Sequence, residues 1–299
     1  MAEIIQKDGT WTFDGDVVRI VPGRDKEVGP LRQTLGELAV PLRAIAGVSY
    51  EPGRRSGRLR LRPRDGADPL LQVTGGRLPE SSDPYRLTVE QDRTGVAEYF
   101  VDEVRGALLL EQVDPGPVDT YLLPGPAVPV TAGGGDAAVA FDGDRVSLDW
   151  NWTAEDSKHS AGPSRFRVAD VRAVDWSPAK GLTNGWLRFS LAGTPAAAAP
   201  KYDPHTVELF GFGKKELVTA LVAAAVAVRL PHPAAPAALP EQAAPAAGAL
   251  AGGAGVGGAG AEDHDALLRR LQELGDLRAK GILTDEEFTA TKALILRRF

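Results

Sequence analysis

The sequence has no cysteine among its 299 residues and only four histidines. Without cysteine there can be no disulfide, no cysteine-ligated zinc and no thiol nucleophile. No two histidines have metal-ligand spacing, no Ser-His-Asp arrangement is suggested by residue order, and no phosphate-binding G-x-x-x-x-G-K-[ST] loop occurs. We therefore expect a non-enzymatic protein with no metal and no cofactor.

Long apolar runs and an excess of basic residues are also missing. The most apolar run, residues 217–228, is shorter than the roughly 20 residues that span a bilayer, and the first residues lack the apolar core of a signal peptide. The net charge is −6, and no segment has the basic excess of a dedicated nucleic-acid binder. These features predict a cytoplasmic protein that binds no nucleic acid.

What the sequence does contain is a duplication. Phe-Asp-Gly-Asp occurs at residues 13–16 and returns at 141–144, which is 141 − 13 = 128 residues later. Asp-Gly between alternating apolar strands predicts a β-hairpin with a type I′ turn, in which Gly15 has a positive φ. The paired aspartates also resemble an Asp-x-Asp metal pair, but turn chemistry explains them and no further ligands accompany them.

The elements that follow each turn come in the same order. Several short strands are followed by one helix, over residues 97–108 in the first copy and 214–228 in the second. The match is tightest between residues 42–52 and 168–178. This order predicts an α+β fold that is mainly β, with each copy ending in a helix.

The composition places the boundaries between segments. We predict repeat 1 at 1–113, a Pro- and Gly-rich linker at 114–135 and repeat 2 at 136–230. A disordered Ala/Pro/Gly tether is predicted at 231–261, because that composition cannot build a packed core. A helical hairpin is predicted at 262–299.

The tail carries the signals of two short helices. Gly281 ends the first, and Thr284 begins a capping box that opens the second. Fewer than 40 residues form a marginal fold, so the hairpin needs a partner, which is either another copy or another protein. The candidate oligomerisation or docking residues are Leu267, Leu271, Leu274, Phe288 and Leu294.

One basic cluster stands out in repeat 1. Alternate residues of a strand share a face, so four guanidinium groups are predicted to stand in a row, suited to phosphate or carboxylate. The candidate binding residues are Arg58, Arg60, Arg62 and Arg64. The favoured alternative is a solvated sheet face whose arginines pair with neighbouring acids such as Glu90 and Asp92. Arg64 follows Pro63 and so also fits a loop.

Two apolar features have alternative interpretations. Trp150 and Trp152 are predicted on one strand face, where a core or domain interface is favoured over a stacking platform. The helix at 217–228 is almost wholly apolar, which favours a buried cap over a partner-binding or membrane-surface helix.

Two resemblances add to these expectations. The tail resembles the SHOCT family of short C-terminal bacterial modules through residues 268–274 and 280–288, which implies helical oligomerisation or docking. The repeats resemble an uncharacterised actinobacterial domain-of-unknown-function family (DUF4429), through the Phe-Asp-Gly-Asp turn and the Ile-x-x-Val-x-aromatic-x-Pro strand ending at Pro52 and, with Val for Ile, at Pro178. That family is expected to be PH-like, so the resemblance implies two bent antiparallel barrels, each capped by a C-terminal helix, with a binding role.

The expected function is therefore binding and assembly. Two PH-like domains would bind a protein partner, and the C-terminal hairpin would mediate oligomerisation or docking. The alternative is a peripheral protein that binds anionic lipid headgroups of a membrane surface through the arginine row.

Overall fold

Each repeat consists of one four-stranded sheet, one three-stranded sheet and a C-terminal helix. The computed structural model describes residues 1–26, 28–193 and 198–235. The predicted hairpin, with Leu267, Leu271, Leu274, Phe288 and Leu294, lies outside the described residues, as does most of the predicted tether.

In repeat 1 the strands run antiparallel in the orders β1-β2-β3-β4 and β5-β6-β7. The strands are β1 Ala2–Gln6, β2 Gly9–Phe13, β3 Val17–Pro22, β4 Leu38–Pro41, β5 Ile45–Glu51, β6 Ser56–Pro63 and β7 Arg86–Glu90. The helices are α1 Pro30–Leu35, α2 Pro69–Thr74 and α3 Thr94–Leu110.

Repeat 2 has the same antiparallel arrangement, with strand orders β11-β10-β9-β8 and β12-β13-β14. The strands are β8 Val130–Gly133, β9 Ala137–Phe141, β10 Arg145–Trp150, β11 Ser164–Arg167, β12 Val171–Ser177, β13 Gly185–Leu191 and β14 Thr206–Leu209. The helices are α4 Asp156–Ala161 and α5 Thr219–Ala227.

The mainly β architecture is confirmed, but the sheets do not close into the predicted barrels. The strands of the described residues are distributed over four open sheets, two in each repeat. Each sheet buries one face, because apolar and polar side chains alternate along its strands. In β6, for example, Leu59 and Leu61 are buried while Arg58, Arg60 and Arg62 are exposed. The two inner faces and the terminal helix thus enclose the core of each repeat.

The duplicated turn has the predicted glycine conformation but not the predicted type. Gly15 and Gly143 both have φ 114°, which suits glycine. A type I′ turn needs positive φ at both central residues, whereas Asp14 and Asp142 are not among the described residues with positive φ. Instead, the Asp14 carboxylate accepts the backbone N–H groups of Asp16 (3.0 Å) and Val17 (2.8 Å).

The apolar helix α5 is buried between the two repeats. Every residue of α5 is buried, and α2 of repeat 1 packs on its outer side, while α1 packs against the 3-10 turn Lys214–Val218 that precedes it. Leu31 of α1 and Leu70 of α2 accordingly belong to the core of repeat 2. The prediction that this helix is buried is therefore confirmed, and the residues that cover its outer side belong to repeat 1.

The linker lies against repeat 1 over part of its length. Leu122 and Leu123 both donate backbone hydrogen bonds to the carbonyl oxygen of Ala67, and the Leu123 side chain is buried. The first strand of repeat 2, β8, begins at Val130, inside the stretch predicted as linker. Among the described residues, no helix has both the length and the apolar character needed to cross a membrane.

Candidate anion-binding site on repeat 1

The arginine row stands on the outer face of the three-stranded sheet. Arg58, Arg60 and Arg62 alternate with buried residues along β6, so all three guanidinium groups are exposed on one face, as predicted. Arg64 lies beyond the end of β6 and is different. Its guanidinium donates to the carbonyl oxygens of Gly116 (2.8 Å) and Arg43 (3.2 Å), and so attaches the linker to repeat 1.

The three arginines of β6 are not neutralised by the acids expected to pair with them. Glu90 binds Lys7 at 2.7 Å, which lowers the pKa of the Glu90 carboxyl, and Asp92 lies 4.0 Å from Arg93. Within the described part of the chain, Arg58, Arg60 and Arg62 form no ion pair and no side-chain hydrogen bond. We refer to these three residues as the open arginine row.

The open arginine row separates two concave surfaces. Arg58 and Arg60 line a cleft of about 990 Å³ between β6, β7 and the β1–β2 turn. Arg60 and Arg62 line a second cleft of about 410 Å³ that extends towards Tyr85. The larger cleft is mixed in charge, but its other cations are engaged: Lys7 binds Glu90, Arg86 binds Glu80 and Asp83, and Arg32 donates to the Asp8 carbonyl oxygen. Arg58 and Arg60 are thus its free cations among the described residues.

Repeat 2 shows why Arg60 is free. In the strand register, Arg60 on β6 lies opposite Arg86 on β7, and the equivalent Arg188 on β13 lies opposite Thr206 on β14. Because Thr206 has no charge, Asp203 binds Arg188 at 3.2 Å. In repeat 1 the equivalent Asp83 instead binds Arg86 at 2.9 Å. Arg86 therefore binds the Asp83 carboxylate, which would otherwise be able to pair with Arg60.

The rest of the row also differs between the repeats. By strand register, Arg58 corresponds to Trp186, whose indole N–H donates to Asp175 at 2.7 Å, and Arg62 corresponds to Ser190. The outer face of β13 thus has a single arginine, and that arginine is paired. An unpaired arginine row on this sheet face is therefore found in repeat 1 and not in the described part of repeat 2.

Below the site, an aspartate in each repeat ties the two sheets together. Asp8 in the β1–β2 turn accepts the backbone N–H of Thr88 (3.0 Å), and Asp136, 128 residues later, accepts that of Glu208 (2.8 Å). Each aspartate also meets a cation from the short helix between the third and fourth strands. These cations are Arg32 in α1 and Lys158 in α4.

The two ties differ in how deeply they are buried. Lys158 Nζ donates to Asp136 (2.6 Å) and to the Thr206 carbonyl (2.8 Å), and both charged side chains are fully buried. Arg32 donates to the Asp8 carbonyl oxygen and lies 3.9 Å from its carboxylate, which is partly exposed. Burial lowers the pKa of Arg32, and the nearby Asp8 partly offsets this.

These two ties were not predicted from the sequence, although the spacing of the two aspartates was a signal for them. Asp8 and Asp136 have the same 128-residue separation as the Phe-Asp-Gly-Asp turns. The role of Arg86 was missed as well, because it depends on strand register, which the sequence pattern did not supply.

The aspartates of the duplicated turn serve the turn itself. Backbone N–H groups lower the pKa of Asp14 and of Asp142, as expected for a carboxylate that accepts such bonds. No cluster of three or more potential metal-ligating side chains exists in the described ranges.

Comparison with known proteins identifies two families. A model described as "Domain of unknown function (DUF4429)" matches residues 11–105 and 139–227, which together exceed half of the chain. A model described as "Short C-terminal domain", SHOCT, matches residues 269–296. No curated protein matches the chain. Both resemblances found in the sequence are therefore confirmed.

Proposed function

The chain belongs to the DUF4429 family of domains of unknown function. We propose that it is a non-enzymatic binding protein that holds an acidic protein segment against repeat 1. The observation that carries the proposal is the open arginine row beside two clefts. We further propose that the repeats are PH-like, which the succession of four strands, three strands and a helix in each supports.

Unpaired arginines on a strand are suited to an extended acidic ligand. A guanidinium group binds a carboxylate or phosphate through two parallel hydrogen bonds. Alternate residues of a strand are about 6.6 Å apart, so Arg58, Arg60 and Arg62 span roughly 13 Å. A single phosphate reaches only part of that length, whereas carboxylates repeated along an extended peptide match all of it. This spacing favours an acidic peptide over one lipid headgroup.

The site is tested with a fluorescent oligoglutamate peptide and the full chain. We expect binding that weakens as salt increases, because exposed charges are screened. Reversing Arg58, Arg60 and Arg62 to glutamate should reduce affinity by on the order of a hundredfold, since three favourable charge contacts become repulsive.

The matched control reverses three exposed arginines of repeat 2, namely Arg145, Arg165 and Arg172. This control changes the net charge by the same amount and should retain most of the affinity. Equal losses in the two variants would show that only net charge matters and would reject the site. A second arm of the experiment uses vesicles that contain phosphatidylglycerol. If the wild type binds these vesicles but not the peptide, and the variant with Arg58, Arg60 and Arg62 reversed does not bind the vesicles, the ligand is a lipid headgroup.

The tail supplies the assembly part of the proposal. The SHOCT match covers Leu271, Leu274, Phe288 and Leu294, four of the five residues predicted to mediate association, whereas Leu267 precedes the match. We propose that this segment brings several copies of repeat 1 together. Several weak sites in one assembly would then bind a repetitive acidic partner with higher avidity than one site alone.

A further inference from the structure

Three loops of repeat 2 expose large apolar side chains. Trp152 follows β10, Leu182 lies in the β12–β13 turn and Phe212 follows β14. Their exposed fractions are 90%, 106% and 89%, which means that nothing in the described structure covers them. The prediction that Trp152 lies in a core or interface is wrong, because β10 ends at Trp150 and the next turn carries Trp152 outwards.

The three loops meet at their bases. Asn151 and Thr153 both donate to the Gly135 carbonyl oxygen at 2.9 Å, and a Cβ on Gly135 would lie 2.7 Å from the Phe210 ring. The Phe210 and Phe212 ring centroids are 5.8 Å apart. The loops that carry Trp152 and Phe212 are therefore neighbours.

The third loop joins the same end of the repeat. A Cβ on Gly211 would lie 2.8 Å from the Ala179 Cβ, so the segment after β14 touches the β12–β13 loop. That loop closes with paired backbone hydrogen bonds between Lys180 and Thr183, which leaves Gly181 and Leu182 at its tip. Trp152, Leu182 and Phe212 thus define one surface, the apolar loop cluster.

Exposed lysines flank two of the three tips. Lys180 precedes Leu182 by two residues, and Lys214 and Lys215 follow Phe212. None of these lysines forms an ion pair with another described residue. The adjacent acids are engaged in the loops: Glu216 accepts the Gly211 N–H at 2.7 Å, and Glu208 accepts from Asn184.

We propose that the apolar loop cluster is a membrane-docking surface, whose occupant is the interface of a bilayer that contains anionic lipids. Tryptophan and phenylalanine on separate protruding loops can enter the headgroup region independently, as an interfacial layer allows. Unpaired lysines next to the tips would meet anionic headgroups at the surface potential of the membrane. Three apolar tips, two of them flanked by lysines, are complementary to such a surface in hydrophobicity and, around Leu182 and Phe212, in charge. This surface is separate in the chain from the open arginine row.

The full-length protein is tested by sedimentation with vesicles of phosphatidylcholine, with and without phosphatidylglycerol. We expect binding to the anionic vesicles and a blue shift of tryptophan fluorescence. Replacing Trp152, Leu182 and Phe212 together by serine should weaken binding by at least on the order of tenfold, since each apolar side chain removed from water contributes. The matched control replaces Leu109 and Leu110, two comparably exposed residues at the end of α3.

The control variant should bind as the wild type does, and both variants should keep the thermal midpoint of the wild type because all five side chains are exposed. Undiminished binding by the serine variant, or the same loss in the control, would overturn the proposal. Equal binding to neutral and anionic vesicles would contradict the role of the lysines. If the wild type ignores both vesicles but its mass in light scattering falls in the serine variant, the occupant is a second copy and the membrane proposal is rejected.

Discussion

At position 86 repeat 1 has an arginine where repeat 2 has Thr206, and this difference decides which cation the neighbouring aspartate binds. Asp83 binds Arg86, whereas Asp203 binds Arg188. By binding Asp83, Arg86 leaves Arg60 without a carboxylate partner. The proposed binding by this face would thus depend on a residue one strand away from the row.

Replacing Arg86 with threonine tests this dependence. The change should let Asp83 pair with Arg60, as Asp203 pairs with Arg188, and should weaken oligoglutamate binding by about tenfold, the effect of losing one charge-assisted contact. Fluorescence titration measures the loss. Adding Asp83→Asn to the same chain removes the competing carboxylate and should restore most of the affinity. A double variant as weak as Arg86→Thr would show that Arg86 itself contacts the ligand.

The ties below the site make a second prediction at this scale. Replacing Lys158 with methionine leaves the Asp136 carboxylate buried without a cation, which should cost about 3–5 kcal/mol of unfolding free energy. The equivalent Arg32→Met should cost less, because Asp8 is partly exposed and its carboxylate lies 3.9 Å from Arg32. Urea denaturation measures both variants. Equal losses would mean that the depth of burial does not control the cost of breaking these ties.

At the scale of elements, the short helices α1 and α2 of repeat 1 also pack against the C-terminal segment of repeat 2. The α2 helix is capped by Asp68, whose carboxylate accepts the N–H groups of Leu70 (2.9 Å) and Leu71 (3.3 Å) and the hydroxyl of Tyr85. Burial raises the pKa of Asp68, and these hydrogen bonds partly offset the shift. The helix held in this way packs against α5. Arg77, just beyond α2, donates to the Trp176 carbonyl oxygen of repeat 2.

Leu31 of α1 gives a test of this cross-repeat packing. The Leu31→Ala variant should lose about 2–5 kcal/mol, the cost of a cavity in a packed core. Because Leu31 belongs to the core of repeat 2, amide hydrogen exchange should accelerate in β12 and β13. The matched change Leu87→Ala lies in the core of repeat 1 and should accelerate exchange there first. Faster exchange confined to repeat 1 in both variants would contradict the shared core.

At the scale of the whole molecule, the described residues of both repeats form one compact unit. The candidate ligand-binding faces lie on this unit, while the SHOCT match lies at residues 269–296. The proposed binding and the proposed association therefore belong to different parts of the chain, and removing one part should leave the activity of the other intact.

A chain that ends at residue 235 tests this division. We expect a lower mass in light scattering than for the full chain, because the segment proposed to associate is absent. The affinity of each site for a monovalent oligoglutamate peptide should be unchanged, as the open arginine row is intact. An unchanged mass would reject association through the tail, even if peptide binding persists.

Much of this organisation was predictable from the sequence, and the exceptions share a cause. The duplication, the exposed row of Arg58, Arg60 and Arg62 and the burial of α5 follow from local periodicity, which side-chain patterns report directly. The partner of Arg60 and the cover over α5 depend on register and on contacts between distant segments. Trp152 was misplaced for a related reason: a strand that ends two residues earlier than predicted moves its side chain from the sheet to a loop.

The covering of α5 by α1 and α2 also constrains the evolutionary history of the gene. A duplicated copy usually remains free to be lost, moved or recombined as a module. Here repeat 2 has a terminal helix whose nine residues are all buried, partly by repeat 1. A gene that kept only residues 130–230 would encode a domain that exposes the side of this helix covered by repeat 1, and an exposed apolar patch promotes aggregation. We therefore expect the two copies to be kept or lost together.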